Sequence, residues 1–132
     1  MSKENVEIAR QLLELWKRGD QGAGREFYDE SCEIVFSASW FPDPGAYRIG
    51  AEALDAWTTF TDAFEQVESG VERVVEVGEQ VVALTYVRGR GRASGAMVSA
   101  ATAIVLTFRD AKVTRVELTD RADALNAVSL SE

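Results

Sequence analysis

Apolar residues Val6, Ala9, Leu12, Leu13 and Trp16 recur at three- and four-residue spacing. That spacing predicts an amphipathic helix from about Lys3 to Arg18, with Ser2 as N-cap and Gly19 beyond its end. A second, short helix is predicted over Gly24 to Tyr28, with Phe27 packed beneath the first. Cys32, Ile34 and Phe36 then alternate with Glu33, Val35 and Ser37, the period of a half-buried strand. Between Ser39 and Tyr47 two prolines and Gly45 exclude regular structure, while Trp40, Phe41 and Tyr47 resist exposure, so this loop must cover apolar surface. From Ala51 to Val67 the residues Leu54, Trp57, Phe60, Phe64 and Val67 return at helical spacing and predict a long second amphipathic helix.

After Gly70 the period changes to that of strands. Val71 to Val77, Gln80 to Val87, Met97 to Phe108 and Lys112 to Thr119 are rich in β-branched residues and predict an antiparallel meander. Its turns fall at Gly78-Glu79, at the glycine-spaced segment Arg88 to Gly95, and at Arg109-Asp110-Ala111. A short helix from Arg121 to Val128, with Ala122 and Leu125 inward, closes the chain. Helices first and strands after are the order of a single α+β domain over residues 1–132, helices gathered on one face of a sheet. Val81-Val82-Ala83-Leu84 and Ala103-Ile104-Val105-Leu106 are apolar on both faces, which predicts either a second cover, supplied by a homodimer joined through the sheet, or a greasy solvated face.

Composition narrows the chemistry. Against 14 Lys and Arg stand 22 Asp and Glu, a formal charge of -8, which disfavours nucleic acid and anionic lipid as partners because such binding needs Lys and Arg on phosphate. The chain has no histidine, so the usual near-neutral base, the commonest metal ligand and every Ser-His or Cys-His relay are excluded; no cofactor and no metal site is expected. Catalysis, if present, rests on carboxylates, Tyr, Lys, Arg or water. A single cysteine, Cys32, and no apolar run near the roughly 20 residues needed to span a bilayer predict a cytoplasmic, untargeted protein.

Four segments carry a family resemblance: Trp16-Lys17-Arg18-Gly19-Asp20, Pro42 to Gly50, Arg88 to Gly95, and Phe108-Arg109-Asp110-Ala111-Lys112-Val113. In this order they resemble the SnoaL-like branch of the nuclear transport factor 2-like superfamily. The resemblance implies a cone of curved antiparallel sheet and three helices around a pocket, commonly homodimeric. One departure is Ala111, where similar proteins have glycine; a residue with Cβ there predicts a different turn type. The superfamily includes isomerases, polyketide cyclases, dehydratases, epoxide hydrolases and noncatalytic pockets, so function must be read from residues. Leu12, Phe36 and Ile104 stand where similar ketosteroid isomerases carry a Tyr and two Asp, and the histidine on which similar dehydratases depend is absent. No Arg-x-Asp pair on an inward strand face stands in for an epoxide hydrolase, and Asp120 alone loosely matches the base of polyketide cyclases.

Candidate residues follow, each with its structural alternative. If Val116 and Leu118 face the pocket, strand alternation sends Asp120 there too, where it serves as a general base or else N-caps the helix from Arg121. Tyr86 and Arg88 share a face with Val82 and Leu84 and either polarise a ligand carbonyl or form a core aromatic and a solvated rim. Phe36, Trp40, Tyr47, Trp57, Phe60, Ile104, Val116 and Leu118 are candidates for the apolar wall, or plain core, and Thr102 offers a hydroxyl on the face of Ile104. Asp43, Asp55, Asp62 and Glu65 offer a carboxylate pair for a metal or for acid and base, but the spacing is not specific, and helical phase puts Asp55, Asp62 and Glu65 off the apolar stripe, on a solvated face. Three functions remain open: a pocket for an apolar or polyketide-like small molecule; a cyclase, isomerase or hydrolase using Asp120 with Tyr86 or Arg88; and a noncatalytic dimerisation domain.

Overall fold

A computed structural model describes residues 2–17, 24–38, 45–48 and 51–131. Trp40 and Asp43, the prolines beside them and the side chains of Ser2 and Leu54 lie outside the described residues. The elements are α1 (Ser2–Lys17), a 3-10 turn (Arg25–Phe27), β1 (Tyr28–Phe36), β2 (Gly45–Arg48), α2 (Ala51–Thr61), β3 (Phe64–Val77), β4 (Gln80–Gly91), β5 (Met97–Arg109), β6 (Lys112–Asp120) and α3 (Arg121–Ser131).

The strands form one curved sheet in the order β2-β1-β6-β5-β4-β3. The predicted meander is present: β3 to β6 pair antiparallel in sequence. Two pairings were not expected. β1 joins β6 in parallel, and β2 forms inside the segment whose prolines and glycine argued against regular structure, pairing Phe36 with Gly45 and Ile34 with Tyr47. Bulges or register shifts interrupt β3, β5–β6 and β1–β6, and such irregularities bend a sheet.

Directly paired residues share a face, so the ladders assign every side chain. Val81, Ala83, Thr85, Val87 and Gly89 pair with Leu106, Ile104, Thr102, Ala100 and Val98; Ile104 and Thr102 pair onward with Leu118 and Asp120. This is the inner face, and α1 and α2 roof it. Ile8, Ala9 and Leu12 of α1 are buried with Cys32, Val81, Leu106, Phe108, Val113 and Val116. A helix of 16 residues is marginal alone, and each fully buried Leu or Phe contributes roughly 1.5–3 kcal/mol, so this docking is what holds α1.

Helix α2 ends six residues earlier than its apolar stripe suggested. Phe64 and Val67 belong to β3, because they pair with Gly91 and Gly89 of β4, and a long ladder outweighs six more helical residues. The last turn tightens through Ala63 N–H to Phe60 O at 3.2 Å, and the amide of Arg92 donates to Ala63 O at 3.0 Å. β4 likewise runs through Gly89 to Gly91, which the sequence placed in a turn. A Cβ on Gly89 would lie 2.9 Å from the Phe64 ring, so glycine there makes room for that ring within a regular strand.

The outer face has its own cover. α3 lays buried Ala124 against Val82 and Ala103, beside Leu84 and Val105. The expectation that helices cover one face only is therefore corrected, and so is the phase of this helix: Ala122 is exposed and Leu125 is 44% exposed, while Ala124 is buried. Small residues dominate α3 and leave it without a clear apolar stripe to read.

Candidate functional site

Two aromatic groups converge beneath α2. Trp57 and Phe60, three residues apart on one helical face, stack with centroids 5.3 Å apart, and Phe60 meets Phe64 of β3 edge-on at 5.2 Å. From the opposite edge of the sheet Tyr47 meets Phe36 at 5.6 Å, also edge-on. Phe36, Phe60 and Leu118 are buried together, with Ile34, Tyr47, Trp57, Phe64 and Ile104 packed around them. Beside this cluster lies a cavity of about 100 Å³ lined by Phe60, Phe64, Val67, Val87, Arg88, Gly89, Val98, Ser99 and Ala100. It lies where small residues interrupt the floor: Gly89 and Ala100 place no bulk under the two phenyl rings.

The inner face turns polar along one row. Thr85, Thr102 and Asp120 are successive partners across β4, β5 and β6. Thr102 is fully buried and Thr85 nearly so, and their hydroxyl oxygens are 2.5 Å apart. Asp120 is half-buried. The same row is pinned through its backbone by Arg121, whose guanidinium donates to the carbonyls of Thr85 and Thr102 and to Glu72. Glu72 sits at the bulge of β3, where the register with β4 shifts.

The predicted residues thus divide. Phe36, Tyr47, Trp57, Phe60, Ile104 and Leu118 gather beneath or beside α2, and Thr102 and Asp120 share that inner face of the sheet. Val116 shares that face but is buried in the core under α1. Tyr86 and Arg88 do not join them: they pair with Ala101 and Ser99 on the outer face, opposite Asp120. Their arrangement is structural. The Tyr86 ring lies over Gly70, where a Cβ would come within 2.5 Å of the hydroxyl, a cross-strand aromatic cover for a glycine. Arg88 stacks over that ring at 4.7 Å and pairs with Glu68 at 2.6 Å. Its hydrogen bond to Tyr86, then the charge of Glu68, hold the guanidinium more firmly protonated than usual. The constellation Asp120 with Tyr86 or Arg88 is therefore not assembled.

The positions matched to the isomerase acids are apolar in fact as well as in type: Leu12 and Phe36 are buried, and Ile104 lies among aliphatic neighbours. Among the described residues no cluster of three or more acidic or cysteine side chains is arranged to hold a metal. Cys32 is buried in the α1 core, and its thiol is pushed up to about 12 by burial, then by Asp29 and Glu33. Burial likewise raises the Tyr28 phenol, which accepts a hydrogen bond from the Trp16 indole at 3.1 Å.

Sequence reasoning missed Thr85, Arg121 and most of the cavity wall. Phe64 and Val67 were hidden in a helical period, and Gly89 and Ala100 carry no periodic signal at all. Thr85 shares its strand with Tyr86, and with both faces apolar the alternation did not say which of the two looks inward.

A curved sheet roofed by two helices, with an apolar cleft and one polar row inside, defines the class of cone-shaped α+β pocket proteins. Residues 9–116 match the family model of the SnoaL-like domain, and the chain belongs to that family. No curated protein matches it by sequence. Among solved structures it is similar to an NTF2-like protein from Burkholderia thailandensis E264, at 16% identity and TM-score 0.78, over 95% of this chain and 96% of that one. TerC, co-crystallised with polyporic acid, superposes with TM-score 0.74 at 16% identity over 95% and 97% of the two chains. A putative SnoaL-like polyketide cyclase from Jannaschia sp. CCS1 gives TM-score 0.66 at 19% identity over 96% and 92%. At these identities the structural likenesses establish the fold. Among the described residues no helix is long and apolar enough to cross a membrane.

Proposed function

We propose that this protein binds an apolar, polyketide-like small molecule between α2 and the inner face of the sheet. The observation that carries this reading is the cavity of about 100 Å³ beneath Phe60 and Phe64, floored by Val87, Gly89 and Ala100 and continuous in chemistry with the Trp57 and Phe36–Tyr47 aromatics. Such a volume accepts one ring or a short chain, so the ligand's remainder extends along the half-buried wall. A neighbour of the same fold co-crystallised with polyporic acid, and another described as a putative polyketide cyclase, support the ligand class.

The test is calorimetric titration with 2-naphthol, an apolar bicyclic probe. Wild type binds it saturably, and Ala100→Leu, which fills the floor of the cavity, weakens binding at least tenfold while keeping a cooperative unfolding transition. Absence of saturable binding to the wild type leaves the noncatalytic dimerisation domain as the better account.

A second reading is a cyclase-type enzyme with Asp120 as base, favoured by the inward position of its carboxylate beside the apolar wall. Tyr86 and Arg88 take no part in it. We further propose a homodimer through the part of the outer face that α3 leaves uncovered, near Tyr86, Ala101 and the 64% exposed Met97, and residence in a reducing, cytoplasmic compartment, where the unpaired Cys32 is stable.

A further inference from the structure

We infer that the pocket takes an uncharged molecule and turns away an anion of the same shape, because the fold places the basic side chains of the sheet on the face away from the ligand. This rests on the pocket reading above and names the charge class of its ligand.

The cavity floor and the wall beside it are rows of cross-strand partners: Val67-Gly89-Val98, Ser69-Val87-Ala100, Val71-Thr85-Thr102-Asp120 and Val74-Ala83-Ile104-Leu118. Paired residues share a face and neighbours along a strand alternate, which assigns each basic residue of the strands. Arg73, Arg88 and Arg90 pair with Leu84, Ser99 and Met97, on the outer face. Arg115 pairs with Thr107 and Glu33, and Glu33 with Arg48, again on the outside. Arg109 and Lys112 pair with each other, next to Phe108 and Val113, whose side chains are the ones buried inward under α1. Helix α2, the roof of the cavity, contains no Lys or Arg. Arg92 donates to the carbonyl of Asp62 at 2.9 Å, and Arg121 to the carbonyls of Thr85 and Thr102 and to Glu72. Among the described residues, then, no basic side chain stands in these rows or in the helix above the cavity.

Nothing else on this face supplies a counter-charge. The Thr85 and Thr102 hydroxyls bond each other at 2.5 Å. A carboxylate that enters loses its water and meets aromatic and aliphatic wall, whereas a carboxamide of the same outline loses far less. Asp120 at the end of one row and the formal charge of -8 act in the same direction, since both repel an anion.

Val98 is the position at which this selection can be reversed. It lines the cavity and is 49% exposed, so a lysine there lays its stem along the apolar wall and keeps its ammonium in water at the mouth.

The experiment compares 2-naphthamide with 2-naphthoate, flat molecules of one shape that differ by a single charge at neutral pH, by calorimetry. Wild type is expected to favour the amide about tenfold or more, because an unpaired charge is costly to bury. Val98→Lys narrows that preference to about threefold or less by bringing an opposite charge near the carboxylate. Val98→Met, of similar length and uncharged, keeps it. Equal affinity of the wild type for the two probes overturns the inference and leaves the pocket standing. So does a preference that the lysine and methionine variants change to the same extent, since shape rather than charge then sets it. Failure of both probes to bind the wild type counts against the pocket itself, and the inference falls with it.

Discussion

Ala111 shows at the scale of one residue what the chain tolerates. The loop between Arg109 and Lys112 has two central residues, Asp110 and Ala111, with φ of 53° and 62°. Positive φ at both is the pattern of the tight hairpin turn whose twist matches the strands, so the expectation of a different turn type is corrected: alanine occupies the conformation glycine would take. A left-handed non-glycine residue costs roughly 1–2 kcal/mol, against about 0.4–1 kcal/mol of extra chain entropy that a glycine loses on folding. Ala111→Gly is therefore expected to stabilise the protein by about 0.5 kcal/mol, read as a higher urea midpoint at unchanged slope. Tyr86 makes the converse point. Its residue type suggested a ligand contact, but the absence of a side chain at Gly70 across the ladder is what its ring answers, and a cross-strand partner is invisible until the register is known.

Among the elements, what was legible depended on whether a pattern had one explanation or two. The stripe of α1 and the four strands from β3 to β6 were readable because the change of period after Gly70 is long and consistent. The α2–β3 boundary was not, since Phe60 and Phe64 touch just as a helical pair would, although one lies in a helix and the other in a strand. β2 depends on four residues whose pairing with β1 is tertiary, and nothing local in Gly45–Arg48 announces it. Arg121 is the tie between elements: from the first turn of α3 it holds Thr85 of β4, Thr102 of β5 and Glu72 of β3. Arg121→Ala is expected to cost about 2 kcal/mol, because two backbone carbonyls lose a charged donor. Glu72→Gln should cost less than about 1 kcal/mol, since that carboxylate is 52% exposed and its ion pair is screened. Urea denaturation of the two variants decides whether the carbonyls or the ion pair carry the tie.

At the level of the whole molecule, the two-faced apolar sheet has a partly intramolecular answer. α1 and α2 roof the inner face, α3 takes a strip of the outer one, and the segment from Arg88 to Ala101 remains with Met97 exposed. Sequence alone gave the two-sidedness but not the cover, because α3 is built of small residues that announce neither face. Sedimentation velocity at micromolar concentration is expected to give a dimer, and Met97→Glu, by placing charge on the uncovered strip, a monomer with unchanged far-ultraviolet circular dichroism. A monomeric wild type would confine the outer-face explanation to α3.

The central claim is that the roof over the inner face leaves room for a ligand. A crystal structure of the protein grown with saturating 2-naphthol tests it most directly. The account predicts difference density for the fused rings between Phe60 and Phe64 on one side and Val87 and Ala100 on the other. A map with Phe64 collapsed onto Val87, side chains filling the space, and no ring density on the inner face would contradict it.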